Sequence, residues 1–311
     1  MANLNNNIFG LKNLPKNTGF NPNVPTGNLL GLNAAPAAAV VNPNLQNLAS
    51  PFDAAFFFDN DSRYIEQLRP CAKIKSHKVA GSEYLFGTRI GGDDYRNYMR
   101  NMSSLGEEFG ESIARLIASQ GPRGMRYEEN IDLGSGIAPL DIAVLKTWLE
   151  ENKEKKLAVL IDYDRTLTQL EGSYFLGNSF EEMKKTVESY GVSSDRLTLE
   201  GFVEYYTGGT ERMEMLQEMF DLIYSIPNVS VYILTNNPAC FTYAGLFTEV
   251  IKLLTKGRPF GLLCSARTGG NKRVAIQQGG PLFKDLCVAA GGRRGKKSRR
   301  HNKKRKTTRR K

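Results

Sequence analysis

Two short apolar runs, LAVLI at 157–161 and VSVYILT at 229–235, limit the folds open to this chain. Neither alternates apolar with polar residues, so a strand built from either is covered on both faces, as in a parallel sheet. Between them, ERMEMLQEMFDLIYS at 211–225 sets Met213, Leu216, Met219, Phe220 and Ile223 at three- and four-residue steps, the period of one helix face. Strand, helix and strand in that order make the basic unit of a doubly wound α/β domain. A helix over 241–254, a short strand near 261–266 and a helix opening near Lys272 continue the alternation. The expected fold is therefore a Rossmann-like α/β core with a parallel sheet, over residues 156–290.

Residues 51–155 read as a mostly helical extension. Tyr95, Tyr98, Met99, Met102, Leu105, Phe109, Ile113, Leu116 and Ile117 form one apolar stripe, ended by Gly121, Pro122 and Gly124. A second helix is expected over 139–152, with Pro139 in its first turn and Trp148 packed in the core. PFDAAFFFD at 51–59 is the first place where burial can begin. Residues 1–50 hold thirteen Asn and five Pro with only Lys12 and Lys16 for charge, so a disordered leader is expected.

The formal net charge of +10 is unevenly spread. Thirteen basic residues and no acid lie in 293–311, whereas all 32 acids fall within 51–290. An acidic body thus precedes a basic tail, at about 291–311, that has no apolar residue to bury and is expected to stay disordered. Cysteines 71, 240, 264 and 287 show no C-x-x-C spacing, which fits a reducing compartment and argues against a zinc site or a disulfide scaffold. His77 and His301 are too few for a histidine-built metal or triad site. The longest weakly apolar stretch, at 29–41, is broken by Asn33 and Pro36 and is shorter than the roughly 20 residues of a membrane helix, so no membrane span is expected.

The residues that suggest chemistry follow the first buried strand: Asp162, Tyr163, Asp164, Arg165, Thr166, Leu167 and Thr168. Ligands of open α/β sheets bind at the carboxyl ends of strands, so two carboxylates two residues apart meet in one crevice there. One, ionised, can attack phosphorus, while the other, protonated, gives its proton to the leaving oxygen. An ordinary strand-to-helix turn capped by Asp is the competing reading. A calcium loop fails on spacing, with Leu167 at its sixth position and Ser173 at its twelfth.

This stretch, AVLIDYDRTLT, resembles the first motif of the haloacid dehalogenase superfamily, an apolar strand followed by Asp-x-Asp-x-Thr. The resemblance covers about 156–278. It implies that Asp162 is a nucleophile, Asp164 a general acid/base and Thr166 a residue that shapes the loop. ILTNN at 233–237 matches the second motif, in which Thr235 binds phosphate with help from Asn236. Lys272, in TGGNKRVAI, stands where the family places a lysine that offsets charge on nucleophile and phosphate; Lys252 and Lys256 are rivals. The surplus between the first two motifs implies a small cap at about 169–210, with Glu171, Tyr174 and Tyr206 as candidate lining. The family ends its core with a further strand whose acids complete Mg²⁺ coordination, and after Lys272 the sole acid is Asp285. Three readings stay open: Asp285 is a reduced version of that acid, Asp162 and the Asp164 carbonyl hold the metal with waters, or the site has decayed.

Two functions follow. One is a Mg²⁺-dependent phosphohydrolase acting through an aspartyl-phosphate on Asp162 upon a phosphorylated substrate of unread class, with Asp162, Asp164 and Asp285 at the metal. The other is an inactive fold of the same kind whose tail binds nucleic acid or another polyanion. Arg293, Arg294, Lys296, Lys297, Arg299, Arg300, Lys303, Lys304, Arg305 and Lys306 would make non-specific, salt-dependent phosphate contacts, because no aromatic is interleaved for base stacking. The tail also reads as a nuclear-import signal, and an intracellular location is expected, either nuclear or, for a viral protein, associated with the virion. An Asn-rich leader and a basic tail around a compact core are similar in style to proteins of large DNA viruses.

Overall fold

A computed structural model of the chain describes residues 51–79, 98–119, 136–170, 179–237, 240 and 244–287. Strands β1 (Ala54–Asp59), β2 (Ile74–Lys78), β3 (Leu157–Ile161), β4 (Val229–Thr235) and β5 (Gly261–Cys264) form one sheet in the order β2-β1-β3-β4-β5. Every pairing is parallel. Helix α1 (Ser62–Leu68) joins β1 to β2, and α2 (Ser104–Ser119) and α3 (Pro139–Asn152) lie between β2 and β3. Helices α4 (Phe180–Ser189), α5 (Leu199–Thr207) and α6 (Thr210–Ser225) separate β3 from β4; α7 (Ala244–Leu254) leads to β5, and α8 (Lys272–Gln278) follows it. The expected Rossmann-like α/β sheet is present.

Strand side chains alternate between the two faces, and both faces are covered. Phe56, Phe58, Val159, Ile161, Val231 and Ile233 pack with Trp148 of α3, Phe220 of α6 and Val250 of α7. Ala55, Phe57, Ala158, Leu160, Tyr232 and Leu234 pack on the other face with Leu68 of α1 and Ile276 of α8. This double covering is why the strands read as unbroken apolar runs. Helix α3 begins at Pro139, as its sequence requires, and Asp141 Oδ2 accepts from Ala138 N at 2.8 Å to finish that end. Trp148 lies edge-on to Phe56 at 5.3 Å, a core position.

Residues 51–155 differ from the expected helical extension, because β1 and β2 belong to the main sheet. AAFFFD is an apolar run of the same kind as LAVLI and is buried from Ala55 onward. IKSHK is largely polar because β2 is the edge strand, with only Ile74 fully buried. Residues 98–119 are docked as well. Phe109 of α2 packs on Phe202, Tyr205 and Tyr206 of α5. Buried Glu204 accepts from Ser103 N, Ser103 Oγ and Thr210 Oγ1, all at 2.5 Å. Tyr206, expected as site lining, is therefore part of this packed insertion. Glu171, Tyr174, the leader at 1–50 and the tail at 293–311 lie outside the described residues. Among the described residues, no helix is long and apolar enough to cross a membrane.

The cysteines correct a second expectation. All four are joined, Cys71 with Cys287 and Cys240 with Cys264, with Cα atoms 4.2 and 5.9 Å apart. Separations of 216 and 24 residues carry no local spacing signature, so topology alone brings the partners together. The cysteine argument for a reducing compartment falls with this pairing. Cys71 and Cys287 connect the segment after α1 to the turn beyond α8, beside Leu282 O, which accepts from Phe52 N at 3.0 Å. The loop thus closed is long, and Cys71→Ser should lower the free energy of unfolding by about 3–5 kcal/mol. Urea titration should detect this, with dithiothreitol shifting the wild-type midpoint at least as far; coincident curves for mutant and oxidised wild type would show that the bond contributes nothing.

Candidate active site

Register and side-chain parity bring two aspartates together. β1 and β3 pair from Ala54 with Leu157 to Phe58 with Ile161, so the next positions in that register are Asp59 and Asp162. Phe57 and Leu160, two residues earlier in each strand, face the α1 and α8 side, and the two carboxylates emerge on that side at the carboxyl end of the sheet. β1 leads outward to β2, while β3 leads the other way to β4 and β5. The crevice at such a reversal is where open α/β sheets bind ligands.

Helix α8 delivers a cation to the same point. Its cap, Asn271 Oδ1, accepts from Val274 N at 3.0 Å, and Gln67 Oε1 of α1 accepts from Lys272 N at 2.9 Å. The Lys272 side chain is fully buried, with Nζ 2.5 Å from Asp59 Oδ2 and 2.5 Å from Asp162 Oδ1. The rings of Tyr64 and Phe57 lie 4.3 and 5.4 Å from the ammonium. Burial, with the Asp162 charge added, pushes Asp59 up to about 7 against the pull of Lys272. Burial also raises Asp162, again opposed by Lys272. Burial alone would lower Lys272, but Asp162 and Asp59 outweigh it and hold the ammonium above its ordinary value. One cation between two carboxylates leaves an excess of negative charge that a proton or a further cation can offset.

Beyond β3, residues 163–167 make a wide turn closed by Thr168 N donating to Tyr163 O at 3.1 Å. Arg165 sits in it at φ 56, a left-handed conformation that costs a side-chain-bearing residue about 1–2 kcal/mol. Thr166 is the tie point. Its Oγ1 accepts from Asn60 N at 3.2 Å, and its carbonyl accepts from Ile137 N at 3.0 Å and Arg212 Nη2 at 3.1 Å. Burial lowers Arg212 to about 10. Gly136, at φ 96, lets these groups converge, since a Cβ there would stand 2.2 Å from Arg212 Nη2 and 2.8 Å from Thr166 O. Asp164 reaches across to the loop after β4, where Asn237 Nδ2 donates to its Oδ2 at 2.6 Å. Asn237 N donates to Thr235 Oγ1 at 3.0 Å, and Ser265 Oγ donates to Thr235 O at 3.0 Å. Asn236 lies beside Gly270.

Asp162 and Lys272 are thus in direct contact, and Asp164 and Thr235 are linked through Asn237. Asp285 is elsewhere. It follows the turn at Pro281–Phe283, whose Leu282 meets Phe52 before the start of β1, whereas Asp59 ends that strand. Six residues of strand at about 3.3 Å each put that turn roughly 20 Å from the carboxylate cluster. Its short sequence distance from Lys272 is misleading because α8 runs back along the sheet. The acid that stands by Lys272 besides Asp162 is Asp59, signalled only by an acid closing the apolar run AAFFFD. Among the described residues, no group of three or more His, Cys, Asp or Glu side chains is assembled to hold a metal. Asp59 and Asp162 turn toward Lys272, and Asp164 turns toward Asn237. No family model, curated protein or solved structure matches the chain.

The raised value of Asp59 fixes the sign of a pH effect. A carboxyl that holds its proton more tightly in the folded state contributes stability fully below its unfolded value, near 3.8, and loses it as pH rises through about 7. Asp59→Asn removes that titration. In chelator, the melting temperature of Asp59→Asn relative to wild type should rise between pH 5.5 and 8.5; a difference independent of pH would contradict the shifted carboxyl.

Proposed function

We propose that the chain is a phosphohydrolase of the haloacid dehalogenase type that cleaves phosphomonoesters through an aspartyl-phosphate on Asp162. The observation that carries this reading is the buried contact of Lys272 with Asp162 and with a second strand-end acid, Asp59. Asp59 takes the part for which Asp285 was the only sequence candidate. The acidic strand that the family places after its lysine is here β1, earlier in the chain yet hydrogen-bonded beside β3. Leu282, just beyond α8, meets Phe52 at the amino end of that strand, so the spatial succession from lysine helix to acidic strand is kept although the chain order is changed.

Lys272 holds Asp162 Oδ1, and the other carboxylate oxygen attacks phosphorus. As the new bond to phosphorus forms, the ester P–O bond breaks, and protonated Asp164 gives its proton to the departing alkoxide. Asp164, now ionised, takes a proton from water that attacks the aspartyl-phosphate, which returns Asp162 and inorganic phosphate. The Thr235 hydroxyl and the Asn236 amide at the end of β4 would receive the phosphoryl oxygens, because Asn237 N is already bound to Thr235 Oγ1. The donor chemistry fits Mg²⁺, which favours carboxylate oxygens, keeps several waters and needs only one or two protein carboxylates. Asp162, Asp59 and the Asp164 carbonyl would hold it, and when bound it would neutralise charge on the phosphoryl group.

The inactive-module reading rests on the missing acidic strand after Lys272, and Asp59 at the end of β1 argues against it. With Mg²⁺, the purified protein should release phosphate from p-nitrophenyl phosphate, and Asp162→Asn should lower kcat by about 10³-fold or more. Asp59→Asn should raise the Mg²⁺ needed for half-maximal rate by about 10–100-fold. Undiminished turnover by Asp162→Asn would falsify the nucleophile.

A further inference from the structure

We infer that Asn237 is a positioning residue that orients the carboxyl group of Asp164. This rests on the phosphohydrolase reading above and deepens it, since neither the resemblance nor the strand pattern nominated Asn237. Asp164 lacks a regular element to aim it. It lies in the turn after β3 with extended backbone, φ −65 and ψ 130, directly before the left-handed Arg165. Its carboxylate is oriented from the far side of the crevice, where Asn237 Nδ2 donates to Oδ2 at 2.6 Å.

The residue that makes this bond is tied at several points. Asn237 is 5% exposed. Its backbone N–H is bound to Thr235 Oγ1 at 3.0 Å, and its carbonyl accepts from Cys240 N at 3.2 Å. Cys240 is joined to Cys264, the residue that pairs with Thr235 across β4 and β5, and Ser265 Oγ holds the Thr235 carbonyl at 3.0 Å. A carboxamide N–H can only donate, so the carboxyl oxygen it faces must accept. The same residue anchors the threonine hydroxyl at the phosphate end, so one side chain and its own amide set the spacing between acid and phosphate sites.

This makes a prediction specific to proton transfer. Protonation of the leaving oxygen matters most when that oxygen is strongly basic, and general acids contribute about 10²–10⁴-fold there. Wild type, Asn237→Ala and Asn237→Asp should be compared on phenyl phosphate and p-nitrophenyl phosphate, which share an aromatic body but differ in leaving-group basicity. Both variants should lose about tenfold or more kcat on phenyl phosphate beyond their loss on p-nitrophenyl phosphate, with little change in KM. Asn237→Asp keeps the shape and removes the donor, so it covers the case in which Asn237→Ala does not fold. Equal losses on the two esters, or an effect confined to KM, would overturn the positioning role while leaving the phosphohydrolase reading intact. A wild type inactive on both esters would overturn that reading and this inference together.

Discussion

The buried ammonium of Lys272 is what permits two carboxylates to stand together at the carboxyl end of this sheet. Asp59 and Asp162 occupy adjacent register positions on neighbouring strands, flanked by Phe57, Leu160 and the ring of Tyr64. Two ionised acids so placed would repel in a medium that screens poorly, and burial already drives both toward their neutral forms. Lys272 opposes that drive with a hydrogen bond to each. The arrangement is not an efficient source of stability, because desolvating three charged groups offsets most of the attraction. Its value lies in geometry. It ties β1, β3 and α8 at one point, and those elements come from segments of the chain that are far apart in sequence.

That distance explains what was and was not legible in the sequence. Strands β3 and β4 and helix α3 were readable at their observed bounds, because an unbroken apolar run or a Pro-led stretch after a Gly-rich segment is a local signal. Asp162, Asp164 and Thr235 stand at or just past the end of a recognisable strand, and Lys272 opens a recognisable helix, so their positions are local signals too. Asp59 was not readable, since its meaning depends on register with a residue 103 positions later. AAFFFD was visible as a buried run, but a neighbouring edge strand as polar as IKSHK hid the fact that both belong to the sheet. Asp285 failed for the converse reason. It is close to Lys272 in sequence, but the chain turns back before reaching it, so nearness along the chain misrepresented nearness in space. The disulfides were hidden in the same way, being pairings of topology and not of spacing.

The loop that carries Asp164 shows how such a site holds a conformation that its own residues would not choose. Arg165 at φ 56 is a conformation that glycine adopts freely and arginine does not, and it persists only where the surroundings over-determine it. Here they do. Asn60 from the end of β1, Ile137 from the lead-in to α3 and Arg212 from α6 all bond to Thr166, while Thr168 closes the turn on Tyr163. Arg212 also donates to Thr207 O at 2.9 Å, at the end of α5, so the helical insertion and the site loop share one guanidinium.

Each of these ties comes from a different segment, and none would fix the loop alone. Together they leave the turn and its two aspartates little freedom, as the proposed chemistry would require. Electrostatic groups aim usefully at a developing charge only if they need not reorganise as it appears. The strain at Arg165 and the burial of charge at Lys272 therefore have one explanation. Both are unfavourable locally, and both persist because independent parts of the fold converge on the carboxyl ends of β1 and β3, where the sheet reverses and a ligand crevice is expected.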